Sequence, residues 1–254
     1  MSIWSAGRYE AVAQRIAPIS VRLIETVDRL RPLDGAVVAD LACGTGNAAL
    51  AAVAAGAQVT GVDLTPELLA IAADKAGGDA VHWVAADAAA TGLPDAGFDA
   101  VVSNMGIIFV EPVSQIAEIA RLLRPGGFFG FSTWVRDTDN PFYNPIIDVL
   151  GTPPAAQYSP DQWGEPDIVT TRLTDDFDEI FIENGKHAWQ FGSVQDAVVF
   201  VTDESPMHVD LFTRSDEDTR VRLTEAFTAA FERYATADGV TFEASYAVVA
   251  ARRR

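Results

Sequence analysis

Asp40, Asp63 and Asp87 each close a short apolar run. The glycine turn Cys43-Gly44-Thr45-Gly46 begins three residues after Asp40. Glycines let a backbone approach a ligand closely because no Cβ stands in the way. Carboxylates beside such a turn accept hydrogen bonds from a ligand and attract positive charge. These residues therefore predict a binding site in which acidic side chains surround a closely held small molecule.

The number of residues between the glycine turn and Asp63 is that expected when an acidic residue accepts hydrogen bonds from the ribose hydroxyls of a nucleoside. Two nucleoside ligands fit this prediction. The pattern Gly44-x-Gly46-x-x-Ala49 satisfies the loose dinucleotide fingerprint, which keeps an NAD(P)-dependent oxidoreductase open as an alternative. However, a diphosphate on the following helix would meet the like charge of Asp40. S-adenosylmethionine has no phosphate and carries a cationic ammonium and sulfonium, so the position of Asp40 favours it.

Alternating strands and helices are predicted to position these residues. The predicted strands cover residues 36–42, 57–63, 80–87, 98–104 and 128–134, and the predicted helices cover 46–56, 65–77 and 112–124. Strands that alternate with helices form a parallel sheet covered on both faces, with right-handed crossovers. Ligands of such Rossmann-like, doubly wound sheets lie beyond the carboxyl ends of the strands. We therefore expect the three aspartates to share one edge of the sheet.

The segments on either side of this core are less regular. Residues 8–30 indicate two helical pieces broken near Pro18, because proline lacks the N–H that an interior turn needs. Beyond strand five we predict a loop or partly helical cover over 136–172, a hairpin over 177–191 turning at Asn184-Gly185, helices over 193–204 and 216–237, and an antiparallel last strand over 240–252. The expected organisation is one domain over 1–254, with a cofactor-binding core (36–134) and a substrate-covering α/loop insertion with a hairpin (136–240) after strand 5.

Four segments, "VVADLACGTGN", "GVDLTPELL", "AADA" and "LLRPGGFF", resemble the successive motifs of class I S-adenosylmethionine-dependent methyltransferases. The nearest group is the ubiquinone/menaquinone-biosynthesis-like small-molecule methyltransferases, and the resemblance runs from about Val37 to Trp134. It implies the class I methyltransferase fold, S-adenosylmethionine as the cofactor, and methyl transfer to oxygen or carbon of a small molecule rather than to nitrogen. Beside the oxidoreductase, a catalytically silent protein that only binds S-adenosylmethionine stays open as a further alternative.

The resemblance also assigns cofactor contacts to residues along the predicted edge. Asp40, Ala42 and Gly44 would contact the methionine half of S-adenosylmethionine. Asp63 would hold the ribose hydroxyls, and Leu64 would pack on the adenine. Many relatives have glycine at the position of Ala42, and alanine is tolerable there because it is still small.

The third and fourth strands complete the implied cofactor site. Asp87 would accept a hydrogen bond from the adenine amino group beside the amide of Ala88, and Ser103 would lie at the end of strand four. The segment that follows, "SNMGIIFVEP", lacks the histidine that many relatives have there. It also lacks the Asn/Asp-Pro-Pro-Tyr/Phe motif of methyltransferases that act on planar amines, so nitrogen acceptors of that kind are disfavoured.

N-terminal residues close over the cofactor in many relatives, which implies a helical lid over residues 1–30. Trp4, Arg8 and Tyr9 are the candidate cofactor-binding residues of this lid. The alternative is that the aromatic pair packs the first helix on the core. The sequence favours neither interpretation over the other.

Methyl transfer does not require a catalytic motif, because the sulfonium is already activated and the enzyme chiefly aligns the reactants and excludes water. A general base is needed only if the nucleophile keeps its proton near neutral pH. His82 falls inside the third strand, which predicts that it is packed in the core, and His187 falls inside the hairpin, which predicts a structural role. His208 is the best placed candidate base. No His, Cys and Asp side chains have metal-ligand spacing, so no metal is expected.

Composition limits the remaining possibilities. The 254 residues carry 36 acidic and 18 basic side chains, a formal net charge of −18, which argues against nucleic acid as a partner. The single cysteine, Cys43, excludes an internal disulfide and is predicted to be a small apolar filler of the glycine turn. No secretory signal or membrane span is predicted, so we expect a cytoplasmic protein. The resemblance and the aromatic residues of the insertion indicate a lipid-like or aromatic small-molecule acceptor.

Overall fold

A computed structural model describes residue 4, residues 7–154 and residues 156–254. Residues 1–3 and 5–6 of the predicted lid, and residue 155 of the predicted insertion, lie outside the described residues. The helices are α1 Tyr9–Leu30, α2 Asn47–Ala54, α3 Pro66–Asp74, α4 Pro112–Leu122, α5 Asn144–Leu150, α6 Pro166–Leu173, α7 Val194–Val199, α8 Pro206–Arg214 and α9 Glu217–Glu232. The strands are β1 Val37–Leu41, β2 Gln58–Asp63, β3 Val81–Ala85, β4 Phe98–Asn104, β5 Leu123–Trp134, β6 Phe177–Phe191, β7 Ala235–Thr236 and β8 Gly239–Arg253.

One sheet joins the strands in the order β3-β2-β1-β4-β5-β8-β6, with the short β7 paired to β8. The pairs from β3 to β5 are parallel, and β8 runs antiparallel to β5. This confirms the predicted Rossmann-like, doubly wound sheet with an antiparallel last strand. Asp40 on β1 pairs with Gly61 on β2 and Val102 on β4, so the carboxyl ends of these central strands share one edge. Within the described residues, no helix has the length and apolar character of a membrane span.

The larger of two compact units comprises Ile16–Val135, Tyr158–Gly185 and Tyr246–Arg254. It contains β1 to β5, whose near-continuous apolar sequences fit a parallel sheet that is buried on both faces. Val38 and Val102 on neighbouring strands are fully buried, and the alanines of α2 pack with them in one hydrophobic core. This core fixes the edge at which the aspartates lie.

The smaller unit comprises the chain up to Arg15, Arg136–Gln157 and Lys186–Ser245. Its core is an aromatic cluster in which the ring of Phe142 lies 4.9–6.4 Å, centroid to centroid, from the rings of Trp189, Phe191, Phe200, Phe231 and Phe242. Aromatic side chains bury large apolar areas, so this cluster gives the unit a hydrophobic core of its own. The assignment of residues 136–240 to substrate covering stays a prediction.

Helix α1 is continuous through Pro18, so the predicted break near that residue is wrong. A proline inside a helix removes a backbone hydrogen bond and costs about 3 kcal/mol. Ile19, Leu23 and Val27 recur at helical spacing, and all three are buried. Each such side chain contributes roughly 1.5–3 kcal/mol on burial, so the apolar stripe outweighs the cost of the proline.

The predicted hairpin over residues 177–191 is also wrong, because these residues form the single strand β6. Asn184-Gly185 resembles a turn, but Gly185 does not have the positive φ that a tight hairpin turn requires. A Cβ on Gly185 would collide with the ring of Tyr246 on the neighbouring strand β8. The glycine therefore accommodates a close side chain within the sheet rather than a reversal of the chain.

The predicted core position of His82 is wrong as well. His82 is exposed on β3, and β3 is the outermost strand at its end of the sheet order. An edge strand has a neighbour on one side only, so its side chains are less covered than those of central strands. The apolar sequence of this strand gave no sign of its edge position.

Candidate cofactor and active site

The glycine turn between β1 and α2 has a backbone conformation that glycine allows. Gly44 and Gly46 have φ angles of 55° and 81°, in the left-handed region that residues with a Cβ rarely adopt. A Cβ on Gly46 would also lie 2.5 Å from Cη2 of Trp83, so the indole packs directly against the turn. Both backbone conformation and close packing therefore require glycine at position 46.

Asp40, near the end of β1, is fully buried. Its Oδ2 accepts a 2.8 Å hydrogen bond from the amide of Ala49 in the first turn of α2, and its Oδ1 has no donor among the described residues. Burial raises the pKa of Asp40 to about 8; the Ala49 amide opposes this rise, and the nearby Asp63 adds to it. A buried carboxyl oxygen without a protein partner is a position at which a cationic ligand group would promote ionisation and be stabilised by the resulting charge.

Asp63, the last residue of β2, joins two turns of the backbone. Its Oδ2 accepts a 2.7 Å hydrogen bond from the amide of Gly44, and its Oδ1 accepts one of 2.8 Å from the amide of Thr65. Each carboxylate oxygen has a further lone pair, so Asp63 can accept ribose hydroxyls while it holds the turn. Leu64, the next residue, is 68 % exposed and presents an apolar surface beside Asp63, as packing on an adenine requires.

The segment after β3 places a second unpaired acceptor near the predicted adenine site. Asp87 is exposed, and its Oδ1 accepts a 2.8 Å hydrogen bond from the amide of Ala89. Ala88 is buried, and its carbonyl accepts a 3.2 Å hydrogen bond from Nε2 of Gln115 on α4. The Oε1 of Gln115 is buried and receives no hydrogen bond from any residue that the structure describes. Gln115, which the sequence analysis missed, therefore adds an acceptor beside the residues expected to bind the adenine amino group.

Ser103 on β4 uses its hydroxyl within the protein. The hydroxyl donates a 2.7 Å hydrogen bond to the carbonyl of Leu41 and accepts one of 3.1 Å from the amide of Ile107. It thereby ties the end of β1 to the 3₁₀ turn Ile107–Phe109 that follows β4. A direct contact between Ser103 and the cofactor stays a prediction.

Asn104, the last residue of β4, is held in one orientation by a chain of hydrogen bonds. The amide of Met105 donates to Oγ of Ser132 at 3.1 Å, and the Ser132 hydroxyl donates to Oδ1 of Asn104 at 2.7 Å. Because Ser132 uses its own proton in this second bond, the amide oxygen of Asn104 faces it. The Nδ2 donors of the half-buried Asn104 have no partner among the described residues, and they are available to a ligand at this edge.

Backbone strain marks the same edge of the sheet. Ala42 follows β1 with φ 51°, and Met105 follows the neighbouring strand β4 with φ 57°. A Cβ on Gly106 would lie 2.5 Å from the carbonyl oxygen of Ala42, so the two segments are in close contact. Left-handed conformations at non-glycine residues cost about 1–3 kcal/mol each and cluster at functional sites. The strain therefore supports this edge as the functional one.

We expect Ala42→Gly to preserve cofactor binding and to raise the free energy of unfolding by up to about 1 kcal/mol, because glycine adopts a positive φ without strain. The gain is limited because glycine also gives the unfolded chain more conformational freedom. Urea denaturation and calorimetric titration with S-adenosylhomocysteine measure the two effects. A clear loss of stability would show that the alanine methyl is needed for packing and would contradict the strain interpretation.

The three lid candidates lie in the smaller unit and contact residues of that unit. Arg8 forms a 2.6 Å ion pair with Glu204, and its amide donates a 2.8 Å hydrogen bond to the Glu204 carbonyl. The rings of Trp4 and Tyr9 meet edge to face with centroids 6.1 Å apart. Contact of these three residues with the cofactor stays a prediction.

His208, the candidate base, has partners at both ring nitrogens. Its Nδ1 lies 2.7 Å from Oγ of Ser205, and its Nε2 lies 3.0 Å from the carbonyl oxygen of Phe142. Since a carbonyl only accepts, Nε2 carries the proton and Nδ1 accepts from Ser205. Burial lowers the pKa of His208, and the Phe142 carbonyl opposes this change. A catalytic role for His208 stays a prediction, and this arrangement favours a structural role.

Cys43 and Lys75 complete the surroundings of the glycine turn. Burial, together with the charges of Asp40 and Asp63, raises the pKa of the Cys43 thiol well above its ordinary value. The thiol is therefore protonated and unreactive near neutral pH, which supports its predicted role as a filler. Lys75 donates hydrogen bonds of 3.1 Å to Oγ1 of Thr45 and 3.2 Å to Oδ1 of Asn47.

Trp83 was missed by the sequence analysis although the sequence contains a signal for it. Gly61 interrupts the apolar sequence of β2 and pairs with Trp83 on β3. A Cβ on Gly61 would collide with the indole, so the glycine makes room for the ring that supports the turn. A glycine inside a strand often marks such a close approach.

These atoms suit a cationic nucleoside better than a dinucleotide. Asp40 already takes the amide of Ala49 in the first turn of α2, which a diphosphate would need as a donor. Oδ1 of Asp40 and Oε1 of Gln115 are buried oxygens that receive no hydrogen bond within the described part of the chain. The residues present therefore fit S-adenosylmethionine. Fold and site together are those expected of an α/β protein that binds such a nucleoside at the carboxyl edge of a Rossmann-like sheet.

Comparison with known proteins agrees with this class. Residues 39–131 match a family described as a methyltransferase domain. An uncharacterized protein of Mycobacterium tuberculosis (strain ATCC 25618 / H37Rv) is 35 % identical over 191 residues, which cover 72 % of this chain and 68 % of that protein. A demethylmenaquinone methyltransferase of Clavibacter sepedonicus is 37 % identical over 106 residues, 41 % of this chain and 43 % of that protein. The solved structure of a geranyl diphosphate methyltransferase in complex with S-adenosylmethionine has a similar fold, with a TM-score of 0.53 and 19 % identity over 94 % of this chain and 85 % of that chain.

The chain belongs to the class I S-adenosylmethionine-dependent methyltransferases. S-adenosylmethionine is its cofactor and, when bound, supplies the methyl group and the activated sulfonium. The predicted family, enzyme class and cofactor are confirmed. The oxidoreductase alternative is set aside, because family and site agree on a different cofactor.

Proposed function

We propose that the protein transfers the methyl group of S-adenosylmethionine to an oxygen or carbon atom of a small-molecule acceptor rather than to nitrogen. The orientation of Asn104 at the end of β4 carries this proposal. Its amide oxygen faces Ser132, so the N–H donors of its Nδ2 lie on the other side of the amide group, where a ligand can accept from them. A neutral amine has one lone pair, which it needs as the nucleophile, so it gains little from an N–H donor at this position. A hydroxyl, enol or carbonyl oxygen has two lone pairs and can accept from an N–H while it is oriented.

We also propose that the acceptor is lipid-like or aromatic and is received by residues of the segment 136–240. The relative from Clavibacter sepedonicus is named for demethylmenaquinone, and the match covers 43 % of that protein. This similarity supports an acceptor of related chemistry. The formal net charge of −18 disfavours polyanionic acceptors such as nucleic acid.

A methyl-transfer assay with labelled S-adenosylmethionine and paired acceptors tests the proposal. Phenols, quinols and enolisable ketones are each compared with an amine of matched ring size, and product mass spectrometry locates the methyl group. We expect kcat/KM for oxygen or carbon acceptors to exceed that for the matched amines by about tenfold or more. Preferential methylation of amines would contradict the proposal. Tight cofactor binding without turnover on any acceptor would favour the catalytically silent alternative.

Asn104→Asp should lower kcat/KM for oxygen acceptors by at least about tenfold, because it replaces an N–H donor with a carboxylate of nearly the same volume. The Ser132 hydroxyl can still donate to the new side chain, so the end of β4 should keep its structure. Calorimetry with S-adenosylhomocysteine should show that cofactor affinity is preserved. If kcat/KM is unchanged in this variant, Asn104 has no part in acceptor binding.

A further inference from the structure

Two buried hydrogen-bond donors of the larger unit, one on Trp163 and one on Arg172, lack a partner within the described residues. Nε1 of Trp163 and Nη1 of Arg172 are both buried, and neither reaches an acceptor within the described residues. The guanidinium lies over the indole, with Cζ 4.7 Å from the ring centroid. A buried donor without an acceptor destabilises the folded protein, and nearly all buried polar groups are paired. Two such donors on stacked side chains therefore indicate a position at which a ligand supplies the acceptor.

Both donors lie at the carboxyl edge of the sheet. Trp163 is on the 3₁₀ turn Pro160–Gly164, and its ring meets Phe131 of β5 edge to face, with centroids 5.2 Å apart. A Cβ on Gly164 would lie 3.0 Å from Cα of Val135, so this turn packs where β5 ends. The same turn contacts the 3₁₀ turn that follows β4. The donors thus lie at the β4–β5 side of the edge whose β1–β3 side carries the cofactor aspartates.

This position is within reach of a small molecule that also approaches the methionine half of the cofactor. Neighbouring strands of a sheet lie about 4.8 Å apart, and β4 is the only strand between β1 and β5 in the sheet order. The ends of β1 and β5 are therefore separated by roughly 10 Å. One or two fused rings can span that separation.

The charges around Arg172 favour a neutral oxygen over an anion. Nη2 of Arg172 donates a 2.6 Å hydrogen bond to Oε1 of Gln162, which fixes the guanidinium and leaves Nη1 for another acceptor. Glu111 and Glu165 both interact electrostatically with Arg172. Two carboxylates already act on this arginine electrostatically, so a ligand carboxylate would add a third negative charge. A carbonyl-type oxygen accepts both donors without that repulsion.

We propose that Trp163 and Arg172 form a two-donor subsite for a neutral carbonyl oxygen of the methyl acceptor. This rests on the proposed transfer to oxygen or carbon and narrows the acceptor to ketone-like or quinone-like compounds. The carbonyl oxygen has two lone pairs, and it accepts one N–H from the indole and one from the guanidinium. The subsite recognises and orients the acceptor, and the reacting atom lies elsewhere on the same molecule.

Binding of matched fluorinated probes tests the subsite without any need for turnover. The probes are 4-fluoroacetophenone, its hydrocarbon isostere 4-fluoro-α-methylstyrene, and 4-fluorobenzoate. Each probe is titrated into the protein saturated with S-adenosylhomocysteine. Ligand-detected ¹⁹F NMR, which can measure millimolar dissociation constants, follows the binding. We expect the ketone to bind about tenfold more tightly than the hydrocarbon, as two net hydrogen bonds allow, and more tightly than the benzoate.

Two variants attribute this selectivity to the named side chains. Trp163→Phe keeps a ring against Phe131 and loses the N–H, and Arg172→Lys keeps the charge and loses Nη1. Each should reduce the preference for the ketone over the hydrocarbon to about threefold or less, with unchanged S-adenosylhomocysteine affinity as the test of folding. Arg31→Lys is the matched control, because Arg31 pairs with Asp99 at the start of β4. It should keep the wild-type preference.

Equal binding of ketone and hydrocarbon by the wild type, or tightest binding of benzoate, would overturn the subsite. Undiminished selectivity in both variants would overturn it too. The comparison of ketone, hydrocarbon and benzoate binding by the wild type tests the subsite even if Trp163→Phe does not fold. A protein that methylates oxygen or carbon but shows no ketone selectivity would contradict the subsite alone. Ketone selectivity in a protein that methylates only amines would contradict the proposed function.

Discussion

Replacing Asp40 with asparagine should stabilise the unliganded protein at alkaline pH and weaken cofactor binding. Burial raises the pKa of Asp40 from an ordinary value of 3.8 to about 8. The stability that the protonated carboxyl contributes is therefore fully present below pH 3.8 and is lost as pH rises through about 8. Asparagine does not ionise, so the variant is free of this loss. It also lacks the negative charge that attracts a cationic ligand.

Thermal unfolding between about pH 5 and pH 9 measures the first effect. The melting temperature of Asp40→Asn relative to the wild type should rise with pH up to about 8 and then stay constant. A gain of roughly 3–10 °C is expected, because the relief of ionisation exceeds the cost of a buried amide by about 1–3 kcal/mol. Asp79→Asn, at an exposed position, is the matched control and should show no such gain. A stability difference that does not vary with pH would contradict the ionisation of Asp40.

Asp63→Ala should weaken S-adenosylmethionine binding by about 10–100-fold, because it removes charge-assisted hydrogen bonds to the ribose. It also removes the acceptor for the amides of Gly44 and Thr65, which shape the glycine turn. The free energy of unfolding should therefore fall by about 2–4 kcal/mol. Calorimetry with S-adenosylmethionine and urea denaturation measure the two losses.

Two further variants separate the ribose contact from the support of the turn. Asp63→Asn keeps one carbonyl acceptor, so it should recover part of the stability while cofactor affinity stays low. Asp87→Ala should cost less affinity than Asp63→Ala, since Asp87 is exposed and holds a single amide. If a folded Asp63→Ala binds S-adenosylmethionine as the wild type does, Asp63 is not part of the cofactor site.

The doubly wound core is predictable from the sequence because its signals are local. Continuous apolar runs predict β1 and β4. Pro66 marks the start of α3, because proline is favoured at the first position of a helix. The places of Asp40 and Asp63 follow from the same pattern, because both lie at the ends of parallel strands. The structure confirms this part of the sequence analysis.

Predictions failed where a local signal has a distant partner. Asn184-Gly185 is a turn signal on its own, and only the ring of Tyr246 on β8 explains why Gly185 lies inside a strand. Pro18 predicts a helix break, and only the burial of the apolar face of α1 overrides it. Neither partner is visible in the few residues around the signal.

Hydrogen-bond roles were beyond sequence reasoning for a related reason. The donor character of Asn104 depends on Ser132, which lies on another strand. The two partners of His208 come from its own helix cap and from Phe142. Such pairings between distant residues decide which donor and acceptor atoms are left for a ligand. The hydrogen-bonding chemistry of the site can therefore be inferred only from the structure.

Proton release on cofactor binding tests most directly whether Asp40 receives the positive charge of S-adenosylmethionine. Calorimetric titrations of the wild type near pH 7, in two buffers of different ionisation enthalpy, count the protons exchanged. We expect release of about one proton per cofactor bound, because a cation beside Asp40 lowers its pKa from about 8, and no comparable release from Asp40→Asn. Binding by the wild type with no proton release, and with equal affinity at pH 6 and pH 9, would contradict this role of Asp40.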